Sequence, residues 1–368
     1  MRVAVVGPTH PFKGGVAQHT TVLARALHEA GHDVEVVSWK SQYPRLLYPG
    51  AQHVTGPPEI QPIAATRRRL HWAWPWTWIS EARRLRGADF VVLAHVTPVQ
   101  VPAYWILLRL GAPQRGRSAI ICHNVLPHER TALQRPLVSA LLSRAQLVLT
   151  HSADQAALAA TLTSSTIASV PLPPFGPDSF TSRGAMSDQV HRRLLFFGIV
   201  RPYKGLDVLL RALAQGPAGV ELRVAGEFWH GAAEYTNLCQ QLGIEDRVEF
   251  IPEYVAAEEV PTIFDRVDAL VLPYRTATGS QGPLTAFDFG VPVIATDVGA
   301  LAERVTPEVD GLVVPPDDVE ALASALERFY SDGTELRLRR GVRRSDTSGM
   351  WSDYLAALGV QTQRDSTA

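Results

Sequence analysis

Short uninterrupted apolar runs, each giving way to a helical spacing of Leu, Val and Ala, recur along this 368-residue chain and constrain its fold more than any other feature. An apolar run without polar alternation marks a strand buried on both faces, which calls for a parallel sheet covered by helices on each side. Residues 2–6 form the first such run, helical spacing follows until Gly31, and residues 33–38 read as the next strand, giving a βαβ unit. Further strands are expected at 89–93, 119–122 and 146–150, with helices at 102–110 and 154–162, the latter capped by Ser152. Residues 170–188 break the pattern with four prolines and little periodicity, as a linker does. Strands are then expected at 193–200, 221–225, 248–251, 269–272, 292–296 and 311–314, separated by helices at 207–213, 232–242, 259–264 and 301–305. A closing helix is expected at 317–330 and another at 350–358.

A single core stops growing at about 250–300 residues, so the chain should hold two α/β domains. They are placed at 1–175 and 191–345, with a linker at 176–190 and a helix crossing back plus a tail at 346–368. With 46% hydrophobic and 19% charged residues, the chain is neither disordered nor fibrous. A formal net charge of −1 speaks against nucleic-acid binding by bulk electrostatics. Cys122 and Cys239 lie in unrelated contexts, so neither a zinc site nor a disulfide framework is expected. Met1 and Arg2 lead directly into the first strand, so no secretory leader is expected and the chain reads as cytoplasmic. Residues 90–110 are apolar, yet His95, Pro98, Gln100 and Pro102 interrupt them, so no membrane span is expected.

The segment 193–210, RLLFFGIVRPYKGLDVLL, reads strand, turn, helix, with Gly198, Arg201 and Lys204 in the turn. Such a turn opens at the carboxyl edge of a parallel sheet, where the helix start adds free N–H groups and a positive partial charge, and a diphosphate would fit there. Cations in surface turns are often simply solvated; the place of this turn, just after the linker, favours the anion-binding alternative. In the first half, Gly14 and Gly15 precede a helix and would let backbone approach a phosphate or sugar, or form a plain tight turn. His123, Asn124, His128 and Glu129 cluster after the strand at 119–122, where side chains face a ligand. Gln18 and His19 on the first helix, and Tyr43 in the long 41–50 loop, are further polar candidates for contact with a second ligand, together with Asn124, His128 and Glu129. No acidic pair stands at a strand end as a Mg²⁺ site, so no metal is expected.

Residues 66–87, TRRRLHWAWPWTWISEARRLRG, hold Trp72, Trp74, Trp76 and Trp78 between two groups of arginines. Either these tryptophans pack a helix onto the sheet, or the segment makes a peripheral contact with anionic lipid at the inner face of a membrane.

In this order and spacing, the motifs GPTHPFKGGVAQHTTVLARAL, HNVLPHE, GIVRPYKGLDVLLRALA, LRVAGE, VEFIPEYV, VDALVLPY, FGVPVIATDVGALAE and DGLVVPPDDVEALASAL resemble those of the family 4 retaining glycosyltransferases. The resemblance covers the chain except 41–87. It implies a GT-B fold, two Rossmann-like domains facing each other across a cleft. It also implies metal-independent transfer of a hexose-type sugar from a nucleotide-diphosphate sugar, such as a GDP- or UDP-sugar, to a glycan, a lipid-linked acceptor or a small molecule. By the same resemblance Arg201 and Lys204 hold the donor diphosphate, Gly14 and Gly15 contact phosphate or sugar, and His123 contacts the donor sugar. Tyr254 and Val255 hold the base by their backbone, and Gly198, Gly226, Glu227, Ser280, Gln281, Gly282 and Thr285 complete the donor site.

The family pattern has two glutamates before the glycine matching Gly290, and those positions fall here on Ala277 and Thr285. Two alternatives stand beside the transferase, of which the second is the one that the loss of both glutamates suggests. One is a nucleotide-sugar 2-epimerase of the same architecture, disfavoured by the few carboxylates available (Glu129, Glu227, Glu253); the other is an inactive binding or scaffold protein. Neither the donor's base and sugar nor the acceptor is legible, and the oligomeric state is not either.

Overall fold

A computed structural model describes residues 1–44, 52–54, 56, 58, 60–63, 66–111, 118–127, 134–174, 189–343 and 349–360. His128 and Glu129, most of the 176–190 linker and the 361–368 tail lie outside the described residues. The chain divides into two compact units, Met1–Phe175 with Thr347–Ala368, and Gly176–Asp346.

The first unit runs β1 (Arg2–Val6), α1 (Gly15–Glu29), β2 (Asp33–Ser41), β3 (Thr66–His71), α2 (Pro75–Leu85), β4 (Phe90–His95), α3 (Val101–Gly111), β5 (Ser118–Cys122), α4 (Gln134–Leu142), β6 (Leu147–Thr150), α5 (Ala153–Ala160) and β7 (Thr166–Ser169). Its seven strands are parallel in the order β3-β2-β1-β4-β5-β6-β7. Alternate residues of each strand feed opposite faces. Ala4, Val6, Val37, Val91, Leu93 and Ile120 meet one set of helices, while Val3, Val5, Val36, Val92 and Ile121 meet α1 and the 350–357 helix. Two-sided burial is what makes these strands read as unbroken apolar runs.

The second unit runs β8 (Arg193–Phe197), α6 (Leu206–Gln215), β9 (Glu221–Ala225), α7 (Ala233–Leu242), β10 (Val248–Ile251), α8 (Val260–Ile263), β11 (Ala269–Leu272), α9 (Gly282–Asp288), β12 (Val293–Thr296), α10 (Gly299–Ala302), β13 (Gly311–Val314), α11 (Val319–Phe329) and α12 (Thr334–Gly341). Six parallel strands in the order β10-β9-β8-β11-β12-β13 again carry a core on each face. α13 (Met350–Ala357) belongs to the first unit, where Tyr354, Leu355 and Leu358 are buried against Val3, Leu23 and Leu27. Among the described residues no helix is long and apolar enough to cross a membrane.

Several elements depart from expectation, among them the helices α4 and α9, which stand where none was expected. Residues 66–71, read as part of a Trp and Arg segment, form the edge strand β3, whose burial is confined to Leu70; a row of arginines at a solvated edge hides the strand period. β7 is equally short and polar. The helix expected at 301–305 begins two residues earlier and ends at Ala302. Beyond α11 the chain adds α12, which carries Arg339 to the fully buried Asp268.

Asp268 organises the entry to the second sheet. Its carboxylate accepts from the backbone N–H of His191 and Arg193 at 2.9 and 3.0 Å, from the Tyr330 hydroxyl at 3.1 Å and from Arg339 at 3.1 Å. A carboxylate removed from water is tolerated only when its lone pairs are met in this way.

Candidate functional site

In both sheets the strand order reverses beside the first strand of the unit, between β1 and β4 and between β8 and β11. Loops leaving the carboxyl ends of those strands diverge and leave a crevice, the usual ligand position in open α/β sheets.

In the second unit the loop after β8 climbs through Gly198 to Arg201, makes a 3-10 turn at Pro202–Lys204, and enters α6 through Gly205. The loop after β9 runs beside it, tied by Gly198 N–H to Ala225 O at 2.9 Å, Val200 N–H to Glu227 O at 2.8 Å and Trp229 N–H to Val200 O at 3.2 Å. This approach depends on Gly226, at φ +143°, where a Cβ would lie 2.2 Å from the Gly198 carbonyl oxygen. Gly205, at φ +67°, is needed for the same reason, its Cβ position lying 2.0 Å from Pro273 O. Gly226→Ala is expected to cost about 2 kcal/mol or more through strain and displaced backbone. A lowered urea midpoint checks this, and an unchanged one refutes the close approach.

The two cations are held differently. The Arg201 guanidinium lies 3.6 Å from the centre of the Trp229 ring and 5.4 Å from that of Tyr203, so its plane is fixed by stacking. Lys204 Nζ reaches within 3.2 Å of where a Gly198 Cβ would be and 5.2 Å from the Tyr274 ring centre. Burial is the main reason its ammonium titrates below the ordinary lysine value; the Arg201 charge acts the same way and Tyr203 opposes.

The turn bearing these cations is clamped by Arg275, which follows β11. Its guanidinium donates to both Asp207 oxygens at 2.9 and 2.8 Å, to Pro202 O at 2.8 Å and to Asp317 at 2.8 Å, while its N–H donates to Tyr203 O at 2.7 Å. Partial burial pushes the Asp207 carboxyl up, but the hydrogen bonds and charge of Arg275 bring it below its ordinary value. Trp229, Arg275 and Asp207 were not singled out from sequence. The only available signals were an aromatic and an arginine just past strand ends.

The other donor-site candidates of this unit line the neighbouring loops. Tyr254 and Val255 are half-buried beyond β10, and Gly226 N–H donates to Ile251 O at 3.0 Å. Ser280 Oγ accepts from Gly282 N–H at 3.1 Å at the start of α9, which also holds Gln281 as its cap and Thr285 in its second turn. The Ala277 carbonyl oxygen is 2.1 Å from where a Gly299 Cβ would lie, so the backbone there abuts α10.

In the first unit Gly14 caps α1 and, with Gly15, lines a hollow of about 100 Å³. Loops after β1, β2 and β4 enclose it, contributing Pro8, Lys13, Gln42, Tyr43 and Val96. Gln42 is 3% exposed and its amide nitrogen has no hydrogen-bond partner among the described residues. Tyr43 thus shares a hollow with Gly14 and Gly15, and Lys13 and Gln42 join them unforeseen.

His123 and His19 lie in a separate cluster with His151. Their ring centres are 4.8 Å apart for His19 and His123, 5.2 Å for His123 and His151, and 6.1 Å for His19 and His151. α13 adds Trp351, stacked on His19 at 5.5 Å, and the fully buried Tyr354. Burial holds His123 well below its usual value, and the nearby His19, His151 and His95 reinforce this; His19 is lowered by burial and then by His151. His95, behind them at the end of β4, is brought to about 4 by burial. The imidazoles of His19, His95 and His123 are therefore neutral near pH 7, each with one ring N–H to donate a hydrogen bond and one ring nitrogen to accept one. Gln18 and Asn124 are half-buried nearby in sequence. Among the described residues no group of three or more His, Cys, Asp or Glu side chains could hold a metal ion.

The family model of "Glycosyltransferase Family 4" matches residues 13–170, and that of "Glycosyl transferases group 1" matches 191–332. A lipopolysaccharide core biosynthesis mannosyltransferase, LpsB of Rhizobium meliloti, is 32% identical over 174 residues, 45% of this chain and 48% of that protein. A D-inositol 3-phosphate glycosyltransferase of Mycobacterium sp. (strain JLS) is 30% identical over 218 residues, 58% of this chain and 48% of that protein. The matched region thus spans about half the length of these relatives. Solved structures share the fold over nearly the whole chain. Anabaena Alr3699/HepE, in complex with UDP, aligns with a TM-score of 0.74 at 16% identity, covering 98% of this chain and 100% of that one. Sucrose-phosphate synthase from Thermosynechococcus elongatus aligns at 0.72 and 20% identity, covering 98% and 97%. With both of its parallel-sheet units matched in sequence and in architecture, the chain belongs to the family 4 glycosyltransferases.

Proposed function

We propose that the protein is a retaining glycosyltransferase that moves a hexose-type sugar from a nucleotide-diphosphate sugar to a glycan, a lipid-linked acceptor or a small molecule. The observation that carries this is the turn at the reversal of the second sheet, where Arg201 and Lys204 are fixed by stacking and by the Arg275 clamp. Departure of a nucleoside diphosphate builds negative charge on the leaving group, and cations already in place stabilise that charge without reorganising. The names of the relatives support sugar transfer, one being a mannosyltransferase, and the HepE structures with UDP and UDP-glucose support a nucleotide sugar as donor.

In this reading the diphosphate lies against Arg201 and Lys204, the base against the backbone at Tyr254 and Val255, and the donor sugar near the Ser280–Gly282 amides. In the first unit the Gly14–Gly15 backbone takes phosphate or sugar oxygens, and neutral His123 hydrogen-bonds a sugar hydroxyl. The donor's own phosphate oxygen takes the acceptor proton on the face the leaving group vacates, giving retention without a protein carboxylate at 277 or 285. The cations answer the diphosphate charge, so the reaction calls for no metal and EDTA should leave the rate unchanged.

Thermal unfolding with UDP, GDP, ADP and their sugars is the direct test, because a ligand of the folded state raises Tm by mass action. One nucleotide is expected to raise Tm in the wild type and to lose that effect in Arg201→Ala/Lys204→Ala. NMR of the matching nucleotide sugar then separates the chemistries. A rise in Tm with no turnover for any acceptor indicates a binding protein, epimerisation of the donor alone indicates an isomerase, and no rise with any nucleotide refutes the proposal.

A further inference from the structure

The four alternating tryptophans of residues 72–78 part company in the folded chain. Trp78 is 7% exposed, donates from its indole N–H to His71 O at 2.7 Å and belongs to the core beneath α2, against which Trp72 also packs. Trp74 and Trp76 are 41% and 63% exposed. They stack on each other at 5.6 Å, and Trp74 stacks on His71 at 4.0 Å.

The core cannot absorb them. α2 presents Trp78, Ala82 and Leu85 inward, and its contact with α3 is so close that a Cβ on Gly111 would lie 2.4 Å from Ala82 O. Trp76, Ser80, Arg83, Arg84 and Gly87 are all exposed and recur at helical spacing, so they form the outer face. The one acid of α2, Glu81, is buried and takes two donors of Arg67 at 3.2 and 3.3 Å; Arg84 lies 4.0 Å from it and remains 63% exposed. The outer face therefore shows two indoles and two guanidiniums with no exposed carboxylate among the α2 residues.

Singly exposed apolar residues need no explanation, but a stacked indole pair beside exposed guanidiniums matches one surface in particular. Indoles settle at the headgroup level of a bilayer, and arginines near an anionic leaflet each gain about 1 kcal/mol. The strength of such a contact grows with the apolar area buried in the interface and with the attraction of its cations to anionic lipid, so the two contributions add. The geometry points to docking of the α2 face, through Trp74, Trp76, Arg83 and Arg84, onto an anionic phospholipid surface. This does not depend on the sugar-transfer proposal, since it uses none of the same residues.

The test is co-sedimentation with vesicles of equal parts phosphatidylcholine and phosphatidylglycerol, against vesicles of phosphatidylcholine alone, at low and high salt. The wild type is expected to pellet with the anionic vesicles and to be released by salt. Arg83→Gln/Arg84→Gln should weaken partitioning roughly thirtyfold, about fivefold for each arginine. Trp74→Ala/Trp76→Ala should lower binding at every salt concentration. Both pairs are exposed, so circular dichroism and Tm are expected to be unchanged. Equal binding to neutral vesicles, no binding to either, or binding indifferent to both variants would overturn the proposal. So would a wild-type dimer that becomes monomeric in Trp74→Ala/Trp76→Ala and ignores vesicles, which would make the face a contact between copies.

Discussion

Arg201→Ala/Lys204→Ala is expected to lower kcat/KM for sugar transfer by at least about a thousandfold while lowering Tm only slightly in the absence of nucleotide. Removing one preorganised donor to developing charge costs about 10²–10³ in rate, and paired groups are not additive, so the double variant discriminates better than either single one. Most of the stability should survive because the guanidinium of Arg275 clamps the turn through Asp207 and Pro202, and what is lost is the Arg201 stack on Trp229. A pH profile adds an independent readout. The Lys204 ammonium titrates below the ordinary lysine value because it is buried, so donor affinity should fall as pH rises through that lowered value. Lys204→Ala should flatten this alkaline limb, which Lys204→Arg should retain only at higher pH. Turnover near normal in the double variant would remove the basis of the proposed mechanism.

The largest effect on stability is expected at Arg339. Its guanidinium meets Asp268 at 3.1 Å and Glu335 at 2.8 Å, with the Asp268 side chain fully buried and that of Arg339 8% exposed. Arg339→Met would leave two carboxylates removed from water, Asp268 and Glu335, without their shared cation, at a cost of about 3–5 kcal/mol. For a unit of this size that amounts to a fall in Tm of roughly 10 °C. Asp268→Asn in the Arg339→Met background should recover part of the loss, because it removes one of the two stranded charges. A double-mutant cycle showing no coupling would mean that Arg339 acts by packing alone.

Legibility from sequence follows burial. Runs such as 2–6, 119–122 and 269–272 announce themselves because both faces of each sheet are covered, leaving no polar alternation to confuse the period. β3 was hidden because an edge strand is free to be cationic, and its pairing with β2 carries two register shifts. In the candidate site, the turn holding Arg201 and Lys204 was visible because a strand and a helix flank it at short range. The brace that orients it was not, since Arg275 and Asp207 are 68 residues apart and only the reversal of strand order makes them neighbours. Trp229 escaped for the same reason: its partner is set by the side-by-side course of two loops. The histidine cluster combines α1, β5, β6 and α13, a set that periodicity alone cannot assemble.

The placement of α13 bears on biogenesis. Tyr354, Leu355, Leu358 and Val360 plug the same layer that Val3 and Val5 open, so the hydrophobic interior of the N-terminal unit has contributors from both extremes of the described chain. A ribosome emitting the polypeptide from its amino end releases a nearly finished first unit whose last plug is made only after the whole second unit. During that interval Leu23, Leu27 and the imidazole of His19 lack their lid, which makes the half-made first unit, more than the completed second one, the nascent species in need of chaperone cover.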